Sequence, residues 1–304
     1  MASALIKPVH MELILDRIHE GLCIPFLGAA ANVKCEKRNY HGLPIGVDVA
    51  TELVKKITFM GKDKKNLAEV ALQYEFRTDR SFLIKSLKSI LPDPKCKASP
   101  LLETIAKLPF RLIITTNYDR LMERALEDEN RDFKVVIQSL ERTDNTSYVK
   151  QRLDELAGYD GCIIYKIHGT FNGRMKYDSI HLGKGEETSI IITEDDYIKF
   201  LTQIDKHEHQ LGVPRQISGK FTYSTLLFLG YSLEDWDFRT LYKGLIEPLP
   251  KHQARRSFAI QKNTSKFWIE YWQSKGVIIY NVDLYEFADY LMEKYQETYG
   301  NIQN

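Results

Sequence analysis

Two short apolar runs that each stop on polar side chains limit what this chain can become. Residues 112–114 run into Thr115, Thr116, Asn117, Tyr118 and Asp119, and residues 163–167 run into His168 and Gly169. Brief continuous apolar runs of this kind read as strands covered on both faces. In an open α/β sheet, ligands bind outside the carboxyl ends of the strands. The pattern therefore predicts that an amide, Asn117, and an imidazole, His168, share one sheet edge and face one substrate.

The same alternation runs along the chain. Residues 11–20 have the spacing of an amphipathic helix that Gly21 stops. Residues 22–27 form an apolar strand leading directly into Gly28-Ala29-Ala30-Ala31-Asn32. Minimal side chains after a strand let backbone N–H groups approach a phosphate, and small residues also serve close packing. After the Gly42-Leu43-Pro44 loop, Asp48 has the character of an N-cap. Helical patterns follow at 48–57, 66–77 and 81–91, the last ended by Pro92 and Pro94. Three helices exceed what one crossover needs, so residues 48–108 are expected to be a helical insertion covering one side of the site.

Beyond Asn117 the pattern predicts a helix over 118–129 and a strand over 133–137, then a polar segment, 138–160, read as loop or short exposed helix. Gly173, Gly183 and Gly185 mark 170–190 as a mobile excursion rather than core. The acidic cluster at 193–196 suits a helix N-terminus. A strand at 225–229 ends in Gly230-Tyr231-Ser232, and Asp235 and Asp237 read as caps of a helix over 236–246. Strands at 257–260 and 277–280 and helices at 265–275 and 284–296 complete the series. This alternation predicts an α/β fold with a largely parallel, Rossmann-like sheet flanked by helices.

A chain of 304 residues with neither repeat nor Pro/Ser-rich linker is expected to form a single domain, 1–304. The net charge of +1 makes no electrostatic case for nucleic acid or an anionic membrane, and the basic clusters at 62–65 and 251–256 read as solvated faces. The four cysteines are scattered without a C-x-x-C pair, so no structural zinc module is expected. No run approaches the ~18 apolar residues of a membrane span, and residues 1–20 lack a signal-peptide core. A cytoplasmic location is therefore expected.

An isolated Asn after a strand is ordinarily a turn residue, and an isolated His-Gly is ordinarily structural. Four small or polar strand ends, at 28–32, 115–119, 168–169 and 230–232, argue instead for an edge that holds a polar, phosphate-bearing ligand. A P-loop is excluded because no G-x-x-x-x-G-K-[ST] occurs. The dinucleotide fingerprint is also absent, with Ala30 standing where a second glycine would be.

In this order the four elements resemble the sirtuin-like (silent-information-regulator-type) family over roughly residues 22–283. FLGAAANV, GLPIG, TTNYDRLMERAL, YKIHGT, TEDDYIKFL and FLGYSLEDWDF are similar to the bacterial antiphage-defence branch. The resemblance implies an NAD+-consuming hydrolase that releases nicotinamide and ADP-ribose, with NAD+ as substrate and no metal. It implies that Asn117 positions water or the nicotinamide ribose. His168 would act as general base or ribose-orienting group, with a pKa suited to neutrality. The Gly28, Ala29, Ala30 and Asn32 backbone would bind pyrophosphate, and Thr116, Asp119, Gly230 and Ser232 would line the dinucleotide pocket. Gln261 would reach the adenine ribose. At Ala30, a position needing positive φ would cost alanine about 1 kcal/mol. A toxic activity implies control by homo-oligomerisation, a separate defence partner or a phage-derived activator. The alternatives are a zinc-free protein deacylase or ADP-ribosyl transferase, and a non-catalytic NAD+ or ADP-ribose sensor.

Overall fold

The computed structural model describes residues 6–91, 96–140, 147–171, 177–183, 189–206, 213–247 and 256–300. Pro92, Pro94, Gly173, Gly185, the side chain of Asp237 and residues 251–255 of the second basic cluster lie outside the described residues.

The strands are β1 (Cys23–Leu27), β2 (Leu112–Thr115), β3 (Phe133–Ile137), β4 (Cys162–Lys166), β5 (Ser179–His181), β6 (Thr225–Leu229), β7 (Ser257–Ile260) and β8 (Val277–Tyr280). They form one sheet in the order β5-β3-β4-β2-β1-β6-β7-β8, and every neighbouring pair is parallel. The chain lays β2 to β5 on one side of β1 and then crosses to the other side for β6 to β8. Winding reverses at β1, and that reversal is where an open α/β sheet has its crevice.

Successive side chains of each strand enter opposite cores, as the two-residue period requires. Cys23 and Leu27 pack beneath α1 (Pro8–His19), α5 (Pro100–Lys107), α6 (Leu121–Asp128) and α12 (Leu284–Tyr299). Ile24 and Phe26 pack against α7 (Ser147–Asp154), α8 (Glu194–Lys206), α9 (Arg215–Phe221), α10 (Trp236–Leu245) and α11 (Lys266–Ser274). Pro25 is tolerated in this central strand for a specific reason. Its missing N–H falls on the β2 side, where pairing begins only at Phe26, while β6 pairs along the whole strand.

A third core joins α2 (Gly46–Val54), α3 (Leu67–Arg77) and α4 (Arg80–Ile90) to Phe171, Ile190 and Ile192. Asp48 is not the N-cap of α2. It lies in the first turn, and its carboxylate accepts from Ile45 N at 3.2 Å. The helix α5 packs with α6 and α12 against the sheet rather than with α2–α4. The reading of 170–190 as excursion is corrected in part. Ser179–His181 forms edge strand β5 beside β3, with Ile180 and Leu182 buried. A three-residue strand carries too short a period to be read among charges and glycines. Among the described residues no helix is long and apolar enough to cross a membrane.

Candidate active site

The site begins where β1 and β6 end side by side. Gly28 N donates to Leu229 O and Ala30 N to Gly230 O, both at 2.9 Å. A Cβ on Gly28 would stand 2.5 Å from Gly230 O, and one on Gly230 would stand 2.2 Å from Ala31 N. Gly230 also has φ +78°. The two loops touch at the backbone, so neither tolerates a side chain there.

Ala29–Asn32 then coils into a 3-10 turn. The non-glycine residues at positive φ are Asn39, Asn130 and Asn263 among the described residues, so Ala30 carries no left-handed strain. The amides of Gly28, Ala30 and Ala31 already have main-chain acceptors, which leaves less of this turn for an anion than its small residues implied. Ala29 and Asn32 reach the cavity, while Gly28 and Ala30 form the backbone behind it.

At the end of β2, the Thr115 hydroxyl donates to Leu27 O at 3.2 Å and accepts from Asn117 N at 3.0 Å. This bridge turns the chain back on itself and brings the Asn117 amide to Gly28 O, which it meets at 3.1 Å. The Asp119 carboxylate accepts from Leu121 N at 2.9 Å, closing the first turn of α6, and from Asn32 Nδ2 at 3.5 Å. The Thr116 hydroxyl lies 3.3 Å from Tyr231 Oη, to which it donates.

His168 follows β4 and is 4% exposed. The edge of Tyr197 packs on its ring at 5.3 Å, and Trp236 packs in turn on Tyr197 at 5.5 Å. Burial lowers the His168 pKa to about 3. The imidazole is therefore neutral at physiological pH, and the expectation of a pKa suited to neutrality is corrected: the sequence shows the residue but not the aromatic enclosure that desolvates it. His168 Nε2 and Asn32 Oδ1 are buried and have no hydrogen-bond partner among the described residues.

These residues surround a cavity of about 180 Å³, somewhat larger than the ~150 Å³ that admits a benzene ring. Asn32, Thr116, Asn117, Asp119, His168, Gly230 and Ser232 all line it. Gln261 does not; its side-chain carbonyl accepts from Leu233 N at 2.8 Å and so braces the segment after Ser232. Sequence reasoning missed Tyr118, Tyr197, Phe238 and Asp235 as lining residues. Asp235 occupies the N-cap position of α10 as expected, but its carboxylate makes no capping hydrogen bond. It lines the cavity instead, and burial raises its pKa. Leu43 and Pro44, with Val49 and Leu67 from α2 and α3, close the apolar side. Among the described residues lining the cavity there are two carboxylates, Asp119 and Asp235, and neither Lys nor Arg. An apolar wall, acidic groups and two unpartnered polar atoms suit a flat ring that carries positive charge and hydrogen-bonding substituents.

Several known proteins have similar sequences. The chain is 28% identical over 242 residues to the NAD(+) hydrolase ThsA of Cytobacillus dafuensis, covering 78% of this chain and 40% of that protein. Over 160 residues it is 28% identical to the NAD(+) hydrolase ThsA of Bacillus cereus (strain MSX-D12), covering 52% of this chain and 27% of the relative. The Enterococcus faecium NAD(+) hydrolase ThsA is 24% identical over 235 residues, 75% of this chain and 41% of its own. The chain thus spans less than half the length of these relatives. The family described as SIR2-like domain matches residues 111–280, more than half of the chain and the stretch that carries Asn117, His168 and Gly230. With the parallel sheet and its crevice at β1, this match identifies the chain as a member of the SIR2-like domain family.

Proposed function

We propose that this chain is an NAD+ glycohydrolase domain. One observation supports the reading most: the buried, neutral His168, with Nε2 unpartnered, lies in an acidic and largely apolar cavity at the sheet's switch point. NAD+ presents a cationic nicotinamide ring on a ribose whose hydroxyls can donate. Cleavage breaks the bond between ribose C1′ and the nicotinamide nitrogen, and the electron pair leaves with nicotinamide. Water supplies oxygen to C1′ and releases one proton, giving ADP-ribose. The transition state is oxocarbenium-like, so the protein's task is to orient the ribose and water and to tolerate positive charge.

An imidazole with a pKa near 3 is a weak base. Of the two roles for His168, accepting a hydrogen bond from a ribose hydroxyl is therefore the better supported. Asn117, tied to Gly28 O, orients the ribose or the attacking water beside it. Asp119 and Asp235 favour the cationic ring. Thr116, Gly230, Ser232, Ala29 and Asn32 contact the rest of the dinucleotide.

Relatives named as NAD(+) hydrolases support the substrate. We take the 304 residues as one domain, with α2–α4 as cover over the cavity, working in the cytoplasm for antiphage defence by depletion of NAD+. Homo-oligomerisation, a separate defence partner or a phage-derived activator controls it. The test is NAD+ turnover by the purified chain followed by chromatography, alongside Asn117→Ala and His168→Ala. Nicotinamide and ADP-ribose released by the wild type, and reduced at least a hundredfold in both variants, are expected. Tight NAD+ binding with no turnover under any assembly condition would favour a sensor, and turnover only with an acylated peptide would favour a deacylase.

A further inference from the structure

Lys166 lies two residues before His168 in β4, with a side chain only 1% exposed. Lysine is rarely buried this deeply unless paired. Its ammonium donates to Glu123 Oε1 at 3.1 Å and to the main-chain oxygen of Asp119 at 2.5 Å. Glu123, in the first turn of α6, is equally buried, and its Oε1 also accepts from the Tyr177 hydroxyl at 3.2 Å. In the sheet register Lys166 stands beside Thr115, the residue whose hydroxyl turns the chain toward Asn117. One charged group thus connects the strand carrying His168, the loop carrying Asn117 and the helix that follows the loop.

A buried ion pair contributes little more than apolar residues of the same shape would. An apolar side chain here would fill the volume but give the Asp119 carbonyl no donor. We propose that Lys166 and Glu123 form a charged strut that fixes residues 117–119 against the His168 strand. Both are then positioning residues for chemistry at Asn117, a role that rests on the NAD+ glycohydrolase reading.

The experiment compares wild type, Lys166→Met and Lys166→Met/Glu123→Leu by melting temperature, amide hydrogen exchange at residues 117–121, and NAD+ kcat and KM. Lys166→Met strands a lone buried carboxylate and lowers the melting temperature, and the double variant recovers most of that loss. In both, exchange at 117–121 is faster, and kcat falls roughly tenfold to a hundredfold, as expected when reacting groups are misplaced by an ångström. KM changes far less. A double variant with wild-type loop exchange or wild-type kcat overturns the strut, because the pair would then be structural only. Should the double variant not fold, Tyr177→Phe removes the hydroxyl's hydrogen bonds to Glu123 and Arg120 and is judged by the same readouts, with unchanged loop exchange counting against the proposal. If the wild type hydrolyses no NAD+ under any assembly condition, the glycohydrolase reading fails, while loop exchange still decides the strut.

Discussion

His168 shows how far environment moves a single side chain. Its folded pKa, near 3, lies below the ordinary value of 6.5, so the native state favours the neutral ring. Above pH 6.5 both states are neutral and His168 contributes no pH dependence. As pH falls from 6.5 toward 3, the unfolded chain takes up a proton that the folded chain resists, and stability drops by about 1.4 kcal/mol per pH unit. Urea unfolding should show little of this effect between pH 7.5 and 6.5 and the full slope from pH 6 to 5 in wild type, with a shallower one in His168→Asn. Ala30 and Gly230 differ in the opposite sense from what small size suggests. Ala30→Gly should leave NAD+ turnover within about twofold and lower stability by several tenths of a kcal/mol, because alanine is unstrained there. Gly230→Ala should cost at least 1–2 kcal/mol and abolish turnover, because its Cβ meets the Ala31 amide at 2.2 Å. Thermal unfolding and turnover of the two variants check both.

Among the elements, α4 and α8 are coupled by one residue. Arg80 reaches Glu75 at 2.7 Å and Asp196 at 2.8 Å, and it also contacts the carbonyl of Ile190. Asp196 accepts from Ile192 N and Thr193 N, while Thr193 Oγ1 accepts from Asp196 N at 3.1 Å, a capping box that starts α8. Ile191 N donates to His168 O, and Ile191 O accepts from the Tyr118 hydroxyl. Arg80 therefore ties the cover helices to the segment that holds the backbone of His168. Arg80→Met should lower stability by about 2–3 kcal/mol, since charged hydrogen bonds of low exposure are lost. It should also raise the KM for NAD+ more than it lowers kcat, measured by denaturation and steady-state kinetics. The acidic start of α8 was legible in the sequence; its anchoring by an arginine more than a hundred residues earlier was not.

At the scale of the molecule, the cavity draws its walls from both ends of the chain's winding: β1 and β6 supply the glycine contact, β2 and β4 the polar groups, and α2, α3 and α10 the apolar cover. A ligand bound there engages all of them at once and should stabilise the whole fold. In His168→Ala, where turnover is expected to be slowed enough for NAD+ to persist during the measurement, NAD+ at a hundred times its Kd should add roughly 2.7 kcal/mol to stability. A melting curve unmoved by NAD+ at millimolar concentration would count against this cavity as its binding place.

The period of apolar residues was enough to place seven of the eight described strands and the polar residues at their ends, because burial on both faces leaves a continuous apolar run that local chemistry then ends. For the same reason Asn117, His168, Gly28 and Gly230 stood out. Strand order, by contrast, came only from packing, since β3 and β5 join the sheet through contacts that no local period encodes. The neutral state of His168 depends on Tyr197 and Phe200 closing over it. Likewise, the diversion of Asp235 from cap to cavity and the burial of Lys166 against Asp119 and Glu123 depend on neighbours distant in sequence. Desolvation and pairing are properties of a surrounding volume, and only the folded chain brings that volume together.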